Sequence, residues 1–116
     1  MAVKRIIANV AHPRPDEAKA FYRDILDMDV AMDLGWIITF ASGANTAAQV
    51  TVASEGGSGT PVPDLSIEVD DLDAVLDRVS GAGFVIEYGP VLEPWGVRRF
   101  YVRDPFGRLL NILTHV

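Results

Sequence analysis

Apolar and polar positions alternate from Arg5 to Val10, with Ile6, Ala8 and Val10 set against Arg5, Ile7 and Asn9. A period of two predicts a strand over residues 4–10 with its Ile6, Ala8 and Val10 face on a core. Pro13 and Pro15 then interrupt the chain. Pro15 suits the first turn of a helix, where its missing N–H has no partner to lose, and Asp16 and Glu17 favour that end through the helix dipole. Ala18, Phe21, Tyr22, Ile25 and Leu26 recur at helical spacing, which predicts one apolar stripe on a helix from Asp16 to Leu26. Two further strands are expected at Gly35 to Phe40 and Gln49 to Ala53, joined by a turn around Gly43 to Thr46.

Glycine, serine and two prolines dominate residues 55–63, the composition of a linker. Beyond it the pattern starts again. Leu65, Ile67 and Val69 alternate with Asp64, Ser66 and Glu68. A helix from Asp71 to Ser80 follows, with Leu72, Val75, Leu76 and Val79 on one face and a stop at Gly81-Ala-Gly83. Asp70, Asp71, Asp73 and Asp77 suit the start and the solvated face of that helix. Strands are expected near Val85 to Tyr88, Val97 to Arg103 and Arg108 to Thr114, with a turn at Asp104-Pro-Phe-Gly107. Superimposing Val10 on Val69 also places Arg5 on Asp64. The fold expected is α+β: two tandem βαβββ modules, residues 3–54 and 64–115, forming curved mixed sheets around a cleft. One sheet face of each module lies under its helix, so the uncovered faces should close on each other or on a second chain.

Composition narrows the function classes. A chain of 116 residues with 49% hydrophobic residues holds one core-forming domain, modules included. A formal charge of −6 argues against nucleic acid, since the one basic cluster (Arg98, Arg99, Arg103, Arg108) is short. No apolar run approaches the roughly 20 residues that span a bilayer. Met-Ala-Val-Lys-Arg leads into a strand-like run rather than a signal-peptide core. With no cysteine there is no disulfide, thiolate nucleophile or zinc–thiolate site, which fits a cytoplasmic protein.

Four stretches carry a resemblance: Phe21-Tyr-Arg-Asp-Ile-Leu26, Ser66-Ile-Glu-Val-Asp-Asp-Leu-Asp73, Trp95-Gly96 and Asp104-Pro-Phe-Gly-Arg-Leu-Leu-Asn-Ile-Leu113. In that order they cover almost the whole chain and resemble the vicinal oxygen chelate superfamily. Its members include glyoxalase I, extradiol dioxygenases, fosfomycin-resistance transferases and bleomycin-binding resistance proteins. The resemblance implies the duplicated βαβββ fold and a homodimer, but it leaves the activity open, because one fold serves isomerases, oxygenases, transferases and binders. It also implies that any metal ligands would stand at Arg5, near Gln49 or Thr51, at Asp64 and at Asn111. Arg5 has no lone pair to donate, and Asn111 offers a neutral amide where matching enzymes carry glutamate. His12, in the Pro-rich loop, reads as a loop residue or helix-start hydrogen-bonder, and His115 is penultimate. The expectation is a site without a metal or other cofactor, closed to the metal-dependent isomerisation and ring cleavage of the family.

Alternation assigns the cleft-facing groups: Arg5, Ile7 and Asn9; Asp64, Ser66 and Glu68; Arg99 and Tyr101; Leu109, Asn111 and Leu113. The repeat adds Trp36, Ile38 and Phe40. Trp36 and Trp95 would stack on a planar ligand, Arg99 would grip an anionic group, and Glu68 or Asp64 would accept from an amine. Phe40 and Trp36 have a competing reading as core or interface aromatics, Tyr22 reads as helix packing, and an Arg5–Asp64 ion pair would stand in for the metal's charge. The leading expectation is a metal-free binder of a small aromatic or amphipathic molecule. The alternative is a glyoxalase-like lyase or isomerase using Glu68 or Asp64 as base; a third reading is a structural or regulatory dimer. No nucleic-acid or membrane partner is expected.

Overall fold

Alternating residues at the start of the chain build β1 (Val3–Ala11), as the pattern requires. The computed structural model describes residues 1–42 and 49–116, so the turn expected at Gly43 to Thr46 lies outside the described residues. The chain divides into two compact units, residues 7–62 and residues 1–6 with 63–116. Strand β1 contributes to both.

In the unit of residues 7–62, Pro15–Ala18 form a single 3₁₀ turn and Lys19–Tyr22 the short helix α1. The expected helix to Leu26 does not continue regularly. The amides of Asp24 and Leu26 reach back five residues, to the carbonyls of Lys19 and Phe21, and Asp27 takes a left-handed φ of 59°. These widened turns rotate half of the expected stripe away from the sheet. Ala18 and Tyr22 pack on the core, whereas Phe21, Ile25 and Leu26 stay exposed. Strands β2 (Asp29–Asp33), β3 (Ile37–Ala41) and β4 (Gln49–Ala53) follow, and the hydrogen-bonded order is β2-β3-β4-β1. Strand β1 runs parallel to β4 with Val10 opposite Val52.

The core of this unit is Ile38, Phe40 and Val52, with Tyr22, Met28, Val30 and Val50 against it. Phe40 is fully buried and stacks on Tyr22 at 5.3 Å between ring centroids. This corrects the expected face of β3: Ile38 and Phe40 point to the α1 side. The opposite face of β3 and β4 carries Thr39 and Thr51, whose hydroxyls bond at 2.8 Å. Trp36 is half-buried just before β3, where its carbonyl accepts from the Ser54 amide. Register places Val10 on the α1 side, but α1 is too short to cover it, and the core face expected of β1 is corrected: Ile6 and Val10 are exposed while Ile7 is buried.

The other unit joins the start of β1 to β5 (Leu65–Val69), α2 (Leu72–Gly81), β6 (Ile86–Leu92), β7 (Val97–Arg103) and β8 (Leu109–His115). The strand order is β1-β5-β8-β7-β6. Asp71 caps α2 by accepting from the Ala74 amide at 3.0 Å, the role its position in sequence indicates. The stripe of Leu72, Val75, Leu76 and Val79 packs on Ile67, Val69, Phe100, Val102, Leu110 and Ile112. Strand β6 runs on through Gly89-Pro90, a cis peptide, with the register shifting between Tyr88 and Val91. As an edge strand it tolerates proline, which has no amide to pair. Both units therefore carry the βαβββ order. No helix among the described residues is long and apolar enough to cross a membrane.

Candidate functional site

The face of the second unit's sheet turned away from α2 gathers most of the polar side chains singled out by alternation. Pairing fixes this face: Ser66 lies beside Asn111 and Glu68 beside Leu113, while Tyr101 and Arg99 lie beside Asn111 and Leu113 from the other side. Paired residues share a face, and their neighbours Ile67, Phe100 and Ile112 occupy the core.

Glu68 is the centre of the first cluster. Its Oε1 accepts from Arg5 Nε at 2.6 Å, and its Oε2 lies 2.7 Å from His115 Nδ1. Only 12% of the Glu68 side chain is exposed. Burial pushes its carboxyl pKa up, but the hydrogen bonds from His115 and Arg5 together outweigh that and hold it below the ordinary carboxylate range. Glu68 is thus an ionised acceptor. The ion pair expected between Arg5 and Asp64 is made by Arg5 and Glu68 instead: four residues on from Asp64, an even step along the strand, Glu68 lies on the same face. Asp64 holds β8 in place: its Oδ2 accepts from the Leu109 amide at 3.0 Å, and its own amide donates to the Leu109 carbonyl at 2.8 Å.

Asn111 sits at the middle of the face, 8% exposed. Its Nδ2 donates to Ser66 Oγ at 3.2 Å, while its Oδ1 is buried without a hydrogen-bond partner. A buried amide oxygen left unbonded is costly, so this spot favours a group that can donate to it.

Arg99 was expected to grip a ligand. It is engaged within the protein: Nη2 donates to Glu93 Oε2 at 2.8 Å, and Nη1 donates to the Tyr101 hydroxyl at 3.1 Å. Tyr88 donates from its hydroxyl to the other Glu93 oxygen at 3.0 Å. The guanidinium carbon lies 5.0 Å from the ring centroids of Trp95 and Tyr101 and 5.4 Å from that of Tyr88, within cation–π range. Trp95 therefore packs over Arg99 and is half-buried there. Glu93 escaped the sequence reading, and Tyr88 entered it only as a residue before the Gly89-Pro90 loop. The only signal was an acid two residues before a loop tryptophan, and it becomes legible only once β6 and β7 are paired.

The positions where the family places metal ligands can be tested in this unit. Arg5 is a cation bonded to a carboxylate, Asp64 is engaged by a backbone amide, and Asn111 offers one neutral oxygen. Such a donor set does not fit a divalent ion, which needs several anionic or imidazole donors converging at about 2.0–2.2 Å. Among the described residues no three His, Cys, Asp or Glu side chains converge.

The family model described as Glyoxalase/Bleomycin resistance protein/Dioxygenase superfamily matches residues 6–112. A solved structure described as an NAD-dependent benzaldehyde dehydrogenase from Legionella pneumophila is similar, with a TM-score of 0.76 at 18% identity, covering 97% of this chain and 100% of that one. A member of the same superfamily from Vibrio splendidus 12B01 gives 0.69 at 14% identity, covering 99% and 100%. Methylmalonyl-CoA epimerase from Mycobacterium tuberculosis gives 0.64 at 19%, covering 98% and 87%. At such identities the likeness carries the fold alone. No curated protein matches the chain in sequence.

Proposed function

The chain belongs to the glyoxalase/bleomycin resistance protein/dioxygenase superfamily, and we propose that within it this protein binds a small aromatic or amphipathic molecule through hydrogen bonds and charge, without a metal. The observation that carries this reading is Asn111 Oδ1, a buried acceptor without a partner beside an ionised Glu68. Asn111 Oδ1 asks for a donor, and the Glu68 carboxylate, though held by Arg5 and His115, adds negative charge to the same face, so the ligand class is an amine or other N–H-bearing molecule with an apolar body. The test has two arms. Metal analysis of the purified protein should find no stoichiometric nickel, zinc, iron or manganese; finding one overturns the reading. Calorimetry against a panel of planar amines should show saturable binding that Asn111→Leu weakens at least tenfold. A flat response across the panel would sink it.

The 2.7 Å contact between His115 Nδ1 and Glu68 supports a second reading, a lyase or isomerase using this carboxylate–imidazole pair for proton transfer. Glu68→Gln should then abolish turnover while Asn111→Leu preserves part of it. The proposal extends to a homodimer, because Phe21 in α1 and Ile25 and Leu26 just after it are exposed apolar side chains.

A further inference from the structure

A pocket of about 310 Å³ opens in the unit of residues 7–62, on the α1 side of the sheet, lined by Val10, His12, Glu17, Ala18, Tyr22 and Val52. That volume is at the low end of ligand sites, which run from roughly 300 to 1,000 Å³. It exists because α1 is only four residues long and the 3₁₀ turn before it presents the small side chain of Ala18. Val10, on β1 beside β4, is left 44% exposed. The floor and walls are apolar, except where His12 and Glu17 meet at the mouth.

The protonation of His12 follows from its neighbours. The Arg14 amide, which can only donate, lies 3.0 Å from Nδ1, so Nδ1 is the acceptor. The Arg14 carbonyl, 3.2 Å from the same nitrogen, is then a neighbour and not a partner. In the neutral ring the proton is therefore on Nε2. Glu17 Oε1 takes Arg14 Nε at 3.0 Å, which leaves Oε2 facing His12 Nε2 across 3.9 Å. That gap is too long for a direct hydrogen bond, whose limit is about 3.2 Å. A single oxygen between them, about 2.8 Å from each, would close it.

From this geometry we infer a second ligand site that takes small uncharged hydroxyl compounds, phenols above all. The hydroxyl accepts from His12 Nε2–H and donates to Glu17 Oε2, while the ring lies against Val10, Ala18, Tyr22 and Val52. The chemistry of the mouth selects against the alternatives. A carboxylate would meet the Glu17 charge, an ammonium offers nothing for Nε2–H to donate to, and a plain hydrocarbon leaves both groups unbridged. This site is independent of the Glu68 face and does not rest on the function proposed for it.

The test is a titration of the full chain, labelled with ¹⁵N, with phenol and with toluene, following backbone amide shifts. Saturable shifts should cluster at the residues lining the pocket, with phenol binding at least tenfold tighter than toluene. His12→Ala and Glu17→Ala, both at exposed positions, should bring phenol down to the affinity of toluene, the loss for phenol being at least fivefold larger than any change for toluene. Asn111→Leu should alter neither. Equal affinity for the two probes, shifts that map elsewhere, or a His12→Ala variant that keeps its phenol preference would each overturn the inference.

Discussion

Glu93 and Arg99 form an ion pair at 2.8 Å with each side chain only 3% exposed. Tyr88, Trp95 and Tyr101 wall in the guanidinium, so the pair is dry as well as close. Removing one partner of such a pair leaves a buried charge, which costs about 3–5 kcal/mol. Glu93→Gln is expected to lower the urea midpoint accordingly. The double variant Glu93→Leu with Arg99→Met should recover most of the loss, because no charge is then stranded. A double variant no more stable than Glu93→Gln would show that the pair itself, and not the orphaned cation, carries the effect.

Glu68 gives the protein a distinct acid limb. Its carboxyl titrates below the ordinary value of 4.5 when folded, so the folded state holds fewer protons than the unfolded one there. The stabilisation is fully present above the unfolded pKa and is lost as pH falls through the lower folded value. Wild type should therefore lose more stability than Glu68→Gln between pH 6 and pH 3, as read by urea unfolding at each pH. Parallel losses in the two proteins would remove Glu68 as the cause.

Gly89 has no room for a side chain. An added Cβ would stand 2.5 Å from the Arg99 carbonyl oxygen and 3.0 Å from the Val91 nitrogen, and the residue has φ +77°. Gly89→Ala should destabilise by about 2 kcal/mol or more, combining a clash with a disfavoured backbone. Gly81→Ala, at the end of α2 with nothing within 4 Å, is the control. It should be neutral, or stabilising by up to about 1 kcal/mol. Calorimetric melting separates the two.

The exposed segment after α1 predicts the quaternary state. Ile25 is 68% exposed. Light scattering at micromolar concentration should give twice the chain mass, and Ile25→Glu should shift it towards monomer. A wild-type monomer would refute the dimer.

Strand β5 is legible because it alternates cleanly, while β7 and β8 are legible from apolar runs on either side of the Asp104 to Gly107 turn, with Phe100, Val102, Leu110 and Ile112 marking the core face. Helix α2 was legible from its stripe and its Asp71 cap. Strand β3 was not, because Trp36-Ile-Ile-Thr-Phe40 is apolar at nearly every position and its phase is decided by Tyr22 lying over Phe40. Strand β2 was missed altogether: an edge strand reading Asp-Val-Ala-Met-Asp, with only Val30 packed on the core and a register shift before Met32, carries little strand signal. Of the candidate site residues, Arg5, Glu68, Tyr101 and Asn111 lie on the face alternation gave them. Their partners could not be read, since reaching Glu68 rather than Asp64, or Glu93 rather than a ligand, depends on distances across strands.

Strand β1 belongs to both compact units, and its first residues are tied by Ala2 to Asp70 through reciprocal backbone and side-chain bonds. The repeat written in the sequence and the units of the folded chain are therefore out of step by half a strand. Cutting at the glycine-rich junction would strip the later fragment of Arg5 and leave Glu68 to His115 alone.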